Sequence, residues 1–147
     1  MIHYPHFKKV LRTTLEQMAA YKPQAEMAIT MAVAHESDKG KYWEQLGGGP
    51  ALGIIQMEPF THDSIWANAD NIKYNAAKAG VVKDVEQLRY CMKYNIFMAR
   101  SMFLMDKSPF PVTKEKMAIY LKEYYNTKTG KAKPEDYLNS YIEWVYK

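Results

Sequence analysis

An all-α fold is what this sequence predicts, and three observations carry that reading. Apolar residues recur at helical spacing along most of the chain, prolines and capping residues stand where those stripes open, and periodicity is lost in one long glycine-containing loop in the first half. A first helix follows Pro5, with Phe7, Val10, Leu11, Leu15 and Met18 at helical spacing. A second opens near Pro23, a good first-turn residue, and runs through Met27, Ala28, Met31, Ala32 and Val33 to Glu36. From Lys39 to Pro50 the pattern stops; Gly40 and the run Gly47-Gly48-Gly49-Pro50 suit no regular helix.

Thr61 reads as the N-cap of a short helix, with Asp63 in its first turn and Ile65 and Trp66 behind it. Asn68 to Lys83 reads as short helix and loop. Asp84 and Gln87 form a capping-box-like start, and Val85, Leu88, Met92, Ile96, Ala99 and Phe103 then make an apolar stripe to about Met105. This stripe predicts a long central helix, the most buried element of the fold. Pro109 and Pro111 break the chain, after which Thr113 caps a helix carrying Met117, Tyr120, Leu121 and Tyr124. Gly130 ends the next loop, and Pro134, Glu135 and Asp136 open a last helix with Leu138, Tyr141, Ile142 and Val145 on one face.

The 147 residues, with 48% apolar and 24% charged, suit one globular domain spanning 1–147 around a single core, and argue against disorder. A net charge of +4 and a pI near 9.0 favour anionic partners: nucleic acid, acidic lipid or an acidic cell wall. The lysines are spread along the chain, with no concentrated patch or recognisable module, so a specific nucleic-acid partner is not expected. Cys91 is the one cysteine and can form no internal disulfide. Lys8, Lys9 and Arg12 are followed by no apolar run, so the N-terminus does not read as a signal peptide, and no stretch is apolar enough to read as a transmembrane segment.

Glu36 is the carboxylate of interest. It lies one turn beyond Ala32 and two beyond Ala28, on a face of small apolar residues, at a helix end that opens onto the glycine loop. Burial there would raise its pKa and keep a proton available to a general acid; the alternative is a solvated glutamate at a fraying end. The stretch Gly53-Ile54-Ile55-Gln56-Met57-Glu58-Pro59-Phe60-Thr61 reads either as a turn and short buried strand or as a ligand wall. In the second reading its glycine admits close approach and Gln56 offers an amide to a sugar. Tyr42 and Trp43 could stack on sugar rings or anchor their loop to the core. The 12 tyrosines lie mostly on helical stripes and read as half-buried core. Cys91, one turn from Leu88 on the long helix, reads as a buried inert thiol. His3, His6, His35 and His62 are too scattered for a metal site and read as solvated or capping residues, so neither metal nor cofactor is expected.

Taken together, Glu36-Ser37 and Gly53-Ile54-Ile55-Gln56-Met57-Glu58-Pro59 with Thr61 resemble the Glu-Ser and Gly-Leu-Met-Gln-Ile-Met-Pro-x-Thr motifs of the soluble lytic transglycosylases. These are lysozyme-like proteins related to goose-type lysozymes. Asn95-Ile96 with Leu104 is similar to the family's Asn-Ile…Tyr-Leu helix, and Tyr125-Asn126 followed by Gly130 to its Ala-Tyr-Asn-Ala-Gly signature. The resemblance runs in the family's order from about Ala25 to Gly130, and is greatest to small members encoded by bacteriophages. It implies a lysozyme-like helical domain whose glycine-rich loop lines a cleft, and cleavage of bacterial peptidoglycan without a cofactor. Glu36 would be the catalytic acid/base, and Gln56 would contact the sugar beside the scissile bond. Tyr125 would bond to or pack on Glu36, Asn126 would shape the same wall, and Ser37, Met57 and Glu58 would line the substrate.

The resemblance further implies a protein made in the host cytoplasm. It would reach the periplasm or wall by holin release at lysis, or as a virion component among other phage proteins. The loop between Glu36 and Gln56 is longer than the family pattern, Gly47 stands where a serine is expected, and Glu58 replaces a substrate-lining methionine. These departures leave two alternatives open: a virion structural protein keeping the fold with weak or no catalysis, and a hydrolytic muramidase using a second carboxylate.

Overall fold

The computed structural model describes residues 1–126 and 131–147, and its regular structure is helical. The elements are α1 (Tyr4–Gln17), α2 (Pro23–Glu36), α3 (Pro59–Asn68), α4 (Ile72–Ala79), α5 (Met92–Leu104), α6 (Lys114–Tyr124) and α7 (Pro134–Tyr146). A short 3₁₀ helix, Val85–Arg89, precedes α5. Proline occupies the first turn of α1, α2, α3 and α7, where a missing amide hydrogen costs nothing and the fixed φ favours the helix. Thr113 caps α6 as its sequence position predicts, its hydroxyl accepting the Lys116 amide at 3.2 Å. Gly130, expected to close the following loop, lies outside the described residues.

The long helix expected from Asp84 to Met105 is two elements. The apolar stripe keeps helical register across the junction, but Tyr90 leaves helical geometry (φ −146°, ψ −12°) and α5 starts afresh after Cys91. Asn95 closes the junction: fully buried, it donates to the carbonyls of Leu88 (3.0 Å) and Cys91 (2.9 Å). The expected capping box does not form either. Asp84 accepts the Glu86 amide at 3.1 Å, while Gln87 turns to the carbonyl of Val82. Cys91 is half-buried at the start of α5, where its sulfur accepts the Tyr94 amide, rather than lying inside a helix. Burial follows the same division. Every residue from Tyr94 to Ser101 is buried, whereas the 3₁₀ segment buries Leu88 alone.

Two smaller expectations are also corrected. Glu58, not Thr61, stands at the N-cap position of α3, because Pro59 already begins the helix and leaves Thr61 inside the first turn. His62 is neither solvated nor a cap. It is fully buried, with Nδ1 2.9 Å from Asp63 and Nε2 2.7 Å from the Tyr94 hydroxyl, which also accepts from Trp66 Nε1 (3.1 Å) and the Asp84 amide (3.0 Å).

One connected apolar core runs from Phe7 in α1 to Trp144 in α7. α2 packs on α7, α6 and α5, α1 crosses α5, and α6 packs on α7. The C-terminal end of α2 therefore faces the start of α7 and the residues leaving α6. Several tyrosines are half-buried at the edge of the core as expected: Tyr120 and Tyr124 of α6 stack at 5.3 Å beside Phe103 of α5. No described helix is long and apolar enough to cross a membrane.

Candidate active site around Glu36

Glu36 is the last residue of α2, and the chain beyond it is tightly prescribed. Ser37 is fully buried; its hydroxyl donates to the Val33 carbonyl (3.0 Å) and accepts the Gly40 amide (3.0 Å). Asp38, Lys39 and Gly40 then take left-handed backbone one after another, with φ of 49°, 62° and 76°. Glycine suits the third, where a Cβ would press on the Ile2 side chain. Lys39, almost wholly buried, is held by Glu143 of α7 at 3.0 Å and Asp38 at 3.3 Å. Ser37 is thus a structural clamp on the helix end that carries Glu36. Its hydroxyl has no reach to a substrate, which corrects the binding role implied for it.

The Glu36 carboxyl is largely withdrawn from water. Desolvation pushes its pKa from 4.5 to about 7, a rise moderated by the Tyr137 hydroxyl, which lies 3.4 Å from Oε2. Tyr137 projects from the first turn of α7, is fully buried, and sets its ring at a tilt 4.3 Å from that of His35. Burial and the Glu36 carboxylate both raise the Tyr137 phenol, so it remains a neutral donor at neutral pH. Asn126 acts on the same phenol in the opposite sense, favouring its ionised form, and accepts from Lys122 Nζ at 3.1 Å through its Oδ1. Burial lowers the pKa of His35, so the imidazole beside Tyr137 is neutral at that pH.

Tyr125 comes to the same place from the end of α6, but with a different partner. Its hydroxyl donates to the Ile55 carbonyl rather than to Glu36. Burial, and then the Glu36 carboxylate, hold its phenol well above the ordinary value, placing Tyr125 in the field of Glu36. Tyr125 therefore ties the loop carrying Gln56 to the region of Glu36. That loop is built on two antiparallel bridges, Glu44 with Leu52 and Leu52 with Met57. Leu52 and Met57 exchange both backbone hydrogen bonds at 2.9 Å across the tight turn Gly53–Gln56. Gln56 is half-buried in left-handed backbone (φ 49°), its amide nitrogen donating to the Gly53 carbonyl at 2.9 Å. Gly53 packs so closely on α5 that a Cβ would lie 2.0 Å from Asn95 Oδ1 and 2.5 Å from the Leu88 carbonyl.

Compared with protein families, with characterised proteins and with solved structures, the chain gives no match.

Of the residues singled out in the sequence, the fold brings Glu36, Tyr125 and Asn126 to one locus, with the Gln56 turn held beside it through Ile55. Met57 instead turns into the core at 3% exposure, so its side chain cannot line a cleft. Glu58 is exposed at the start of α3. Trp43 packs on the core, which resolves its role toward anchoring, while Tyr42 sits half-buried with Lys41 Nζ 5.3 Å from its ring centre. Tyr42, Trp43, Gln45 and Arg89 contribute to an open groove of about 470 Å³ beside the loop that leaves α2. Tyr137 is the contributor that sequence reasoning missed. Its one signal was an interior-facing tyrosine, Tyr137, one turn before Tyr141 on the apolar face of the last helix.

Proposed function

We propose that the chain is a lysozyme-like enzyme that cleaves the MurNAc-GlcNAc β-1,4 bond of bacterial peptidoglycan by a lytic transglycosylase mechanism. The observation that supports it most is the Glu36 carboxyl, half-protonated near neutrality at a buried helix end and faced by two tyrosines. A carboxylic acid in that state can give up a proton and take one back at the same pH. Glu36 would protonate the glycosidic oxygen as the bond to the anomeric carbon breaks. The N-acetyl group of the muramic residue would support the oxocarbenium-like state, as in substrate-assisted glycosidases that need no second carboxylate. Glu36, now ionised, would remove the proton from that sugar's C6 hydroxyl while its oxygen bonds to the anomeric carbon. The products are a 1,6-anhydro-muramic end and a free GlcNAc end, and Glu36 is again protonated. Gln56 would hold the sugar beside the scissile bond, and the surplus of positive charge would favour the anionic wall. The biological setting we propose is a phage one, either host lysis or wall penetration by the virion.

The test is digestion of purified murein followed by mass analysis of the fragments. Anhydro ends support this reading. Reducing muramic ends would mean a hydrolase, and undigested murein would mean a protein that keeps the fold without the activity.

A further inference from the structure

Resting on the reading of Gln56 as a substrate contact, we propose that His62 is a pH-sensitive latch on the wall that carries Gln56. As the neutral imidazole it pins the first turn of α3 to Tyr94 of α5, and on protonation it lets that turn go. The argument is a count of hydrogens. The Tyr94 oxygen faces two groups that can only donate, Trp66 Nε1 at 3.1 Å and the Asp84 amide at 3.0 Å, and they fill both its acceptor sites. Its one hydrogen is left for His62 Nε2, 2.7 Å away, which must accept it. The proton of the neutral ring therefore sits on Nδ1, facing Asp63 Oδ1 at 2.9 Å. Every polar atom of the imidazole and of the hydroxyl is then used, and one tautomer alone allows it.

A second proton can enter only at Nε2, where it would meet a hydroxyl that already accepts two N–H groups. The imidazolium N–H and the Tyr94 O–H would then point at each other, and His62 is fully buried, with no water to take up the surplus donor. The charged groups around the pair do not repair this. Asp63, on α3, accepts from Nδ1 in either state, and Asp84, at the start of the 3₁₀ segment, acts on Tyr94 but holds the Glu86 amide at 3.1 Å. Both carboxylates attract the imidazolium, so the fold can reach that state; what it cannot keep is the bond to Tyr94. The path to Gln56 is short. The His62 amide makes the opening bond of α3, to the Glu58 carbonyl at 3.0 Å, and Gln56 lies two residues before Glu58. With His62 released, the turn keeps the Leu52–Met57 bridge and Tyr125 but loses its anchor through α3.

The experiment uses the full chain and His62→Gln, whose side-chain oxygen can accept from Tyr94 and does not titrate. Nitrogen-15 NMR of the imidazoles reads the tautomer, and amide hydrogen exchange reads the anchoring of residues 56–66, between about pH 8 and about pH 5, the range in which imidazoles change charge. At the upper end the parent should show His62 protonated at Nδ1 with Nε2 bare. As Nε2 takes up its proton, the amides of 56–66 should lose protection in the parent but keep it in His62→Gln at the same pH. KM for soluble murein fragments should rise roughly tenfold over that range in the parent relative to the variant, about the worth of one hydrogen bond, with the ratio of kcat values steady. An Nε2–H tautomer in the neutral parent would overturn the proposal, and this reading needs no variant to fold. So would an imidazolium formed while residues 56–66 stay protected. Neither NMR nor exchange needs turnover, so a working latch in a chain that leaves murein intact would sink the proposed activity while upholding the latch.

Discussion

The hydroxyl of Tyr137 lies 3.4 Å from Glu36 Oε2, although the two residues stand 101 positions apart in the chain. Between them they hold a carboxyl that burial keeps protonated to about pH 7 and one donor aimed at it. The consequences extend to stability as well as to catalysis.

Stability should depend on pH through Glu36. Its pKa is raised on folding from 4.5 to about 7, so the folded state binds the proton more tightly than the unfolded chain. The contribution is fully present below pH 4.5 and is lost as pH rises through about 7. Its full size is about 3.5 kcal/mol, at 1.4 kcal/mol per unit. Urea unfolding of the parent and of Glu36→Gln at pH 4 and pH 8 checks this. The parent should lose stability relative to the variant as pH rises, and a constant difference would contradict the burial of this carboxyl.

Gly53→Ala should be among the most damaging small substitutions. Gly53 combines φ of 79° with space that a Cβ would share with Asn95 Oδ1 and the Leu88 carbonyl. Backbone strain of this kind costs about 1–3 kcal/mol before the clash is counted. Thermal melting should show the loss, and Gly48→Ala offers a control with the same backbone sign but nothing within 4 Å of its Cβ. Equal melting temperatures for the two would refute the close packing of Gly53 on α5.

Tyr94→Phe should destabilise by about 2–3 kcal/mol. One hydroxyl serves His62 Nε2, Trp66 Nε1 and the Asp84 amide, and its removal strands partners in the core. Denaturant unfolding measures the cost; a change below about 0.5 kcal/mol, as for an ordinary surface site, would show the network to be dispensable.

The helices were legible because each buries one stripe against a shared core, and the sequence writes that stripe at helical spacing. The division at Tyr90 and Cys91 was not. The stripe Leu88, Met92, Ile96 stays in phase across it, and the break depends on the Asn95 side chain reaching back to two carbonyls. Glu36 was readable as a buried carboxyl at a helix end, since Ala28 and Ala32 share its face. Tyr137 was not, because its role arises only when α7 packs on α2. Ser37 looked like a site residue through the resemblance of Glu36-Ser37 to the Glu-Ser motif, and the left-handed run that absorbs its hydroxyl has no local signature apart from Gly40.

Glu58→Gln separates the two carboxylate schemes. Glu58 is exposed at the start of α3, so a single-acid mechanism predicts near-parental murein cleavage from this variant. A two-carboxylate hydrolase using Glu58 predicts a loss as severe as that from removing the acid. Initial rates on purified murein decide between them.

The most direct measurement is murein cleavage by Glu36→Gln, with circular dichroism and thermal melting to verify folding. Glutamine keeps the shape at the end of α2 but has no proton to give, so the leaving oxygen would depart unassisted. General acid/base assistance is worth about 10²–10⁴-fold, and one residue serving in both roles places the expected loss toward the upper end. A folded variant with cleavage reduced to that degree or abolished is the predicted result. Folded Glu36→Gln protein that cleaves murein at the parental rate would contradict the assignment of Glu36 and the mechanism built on it.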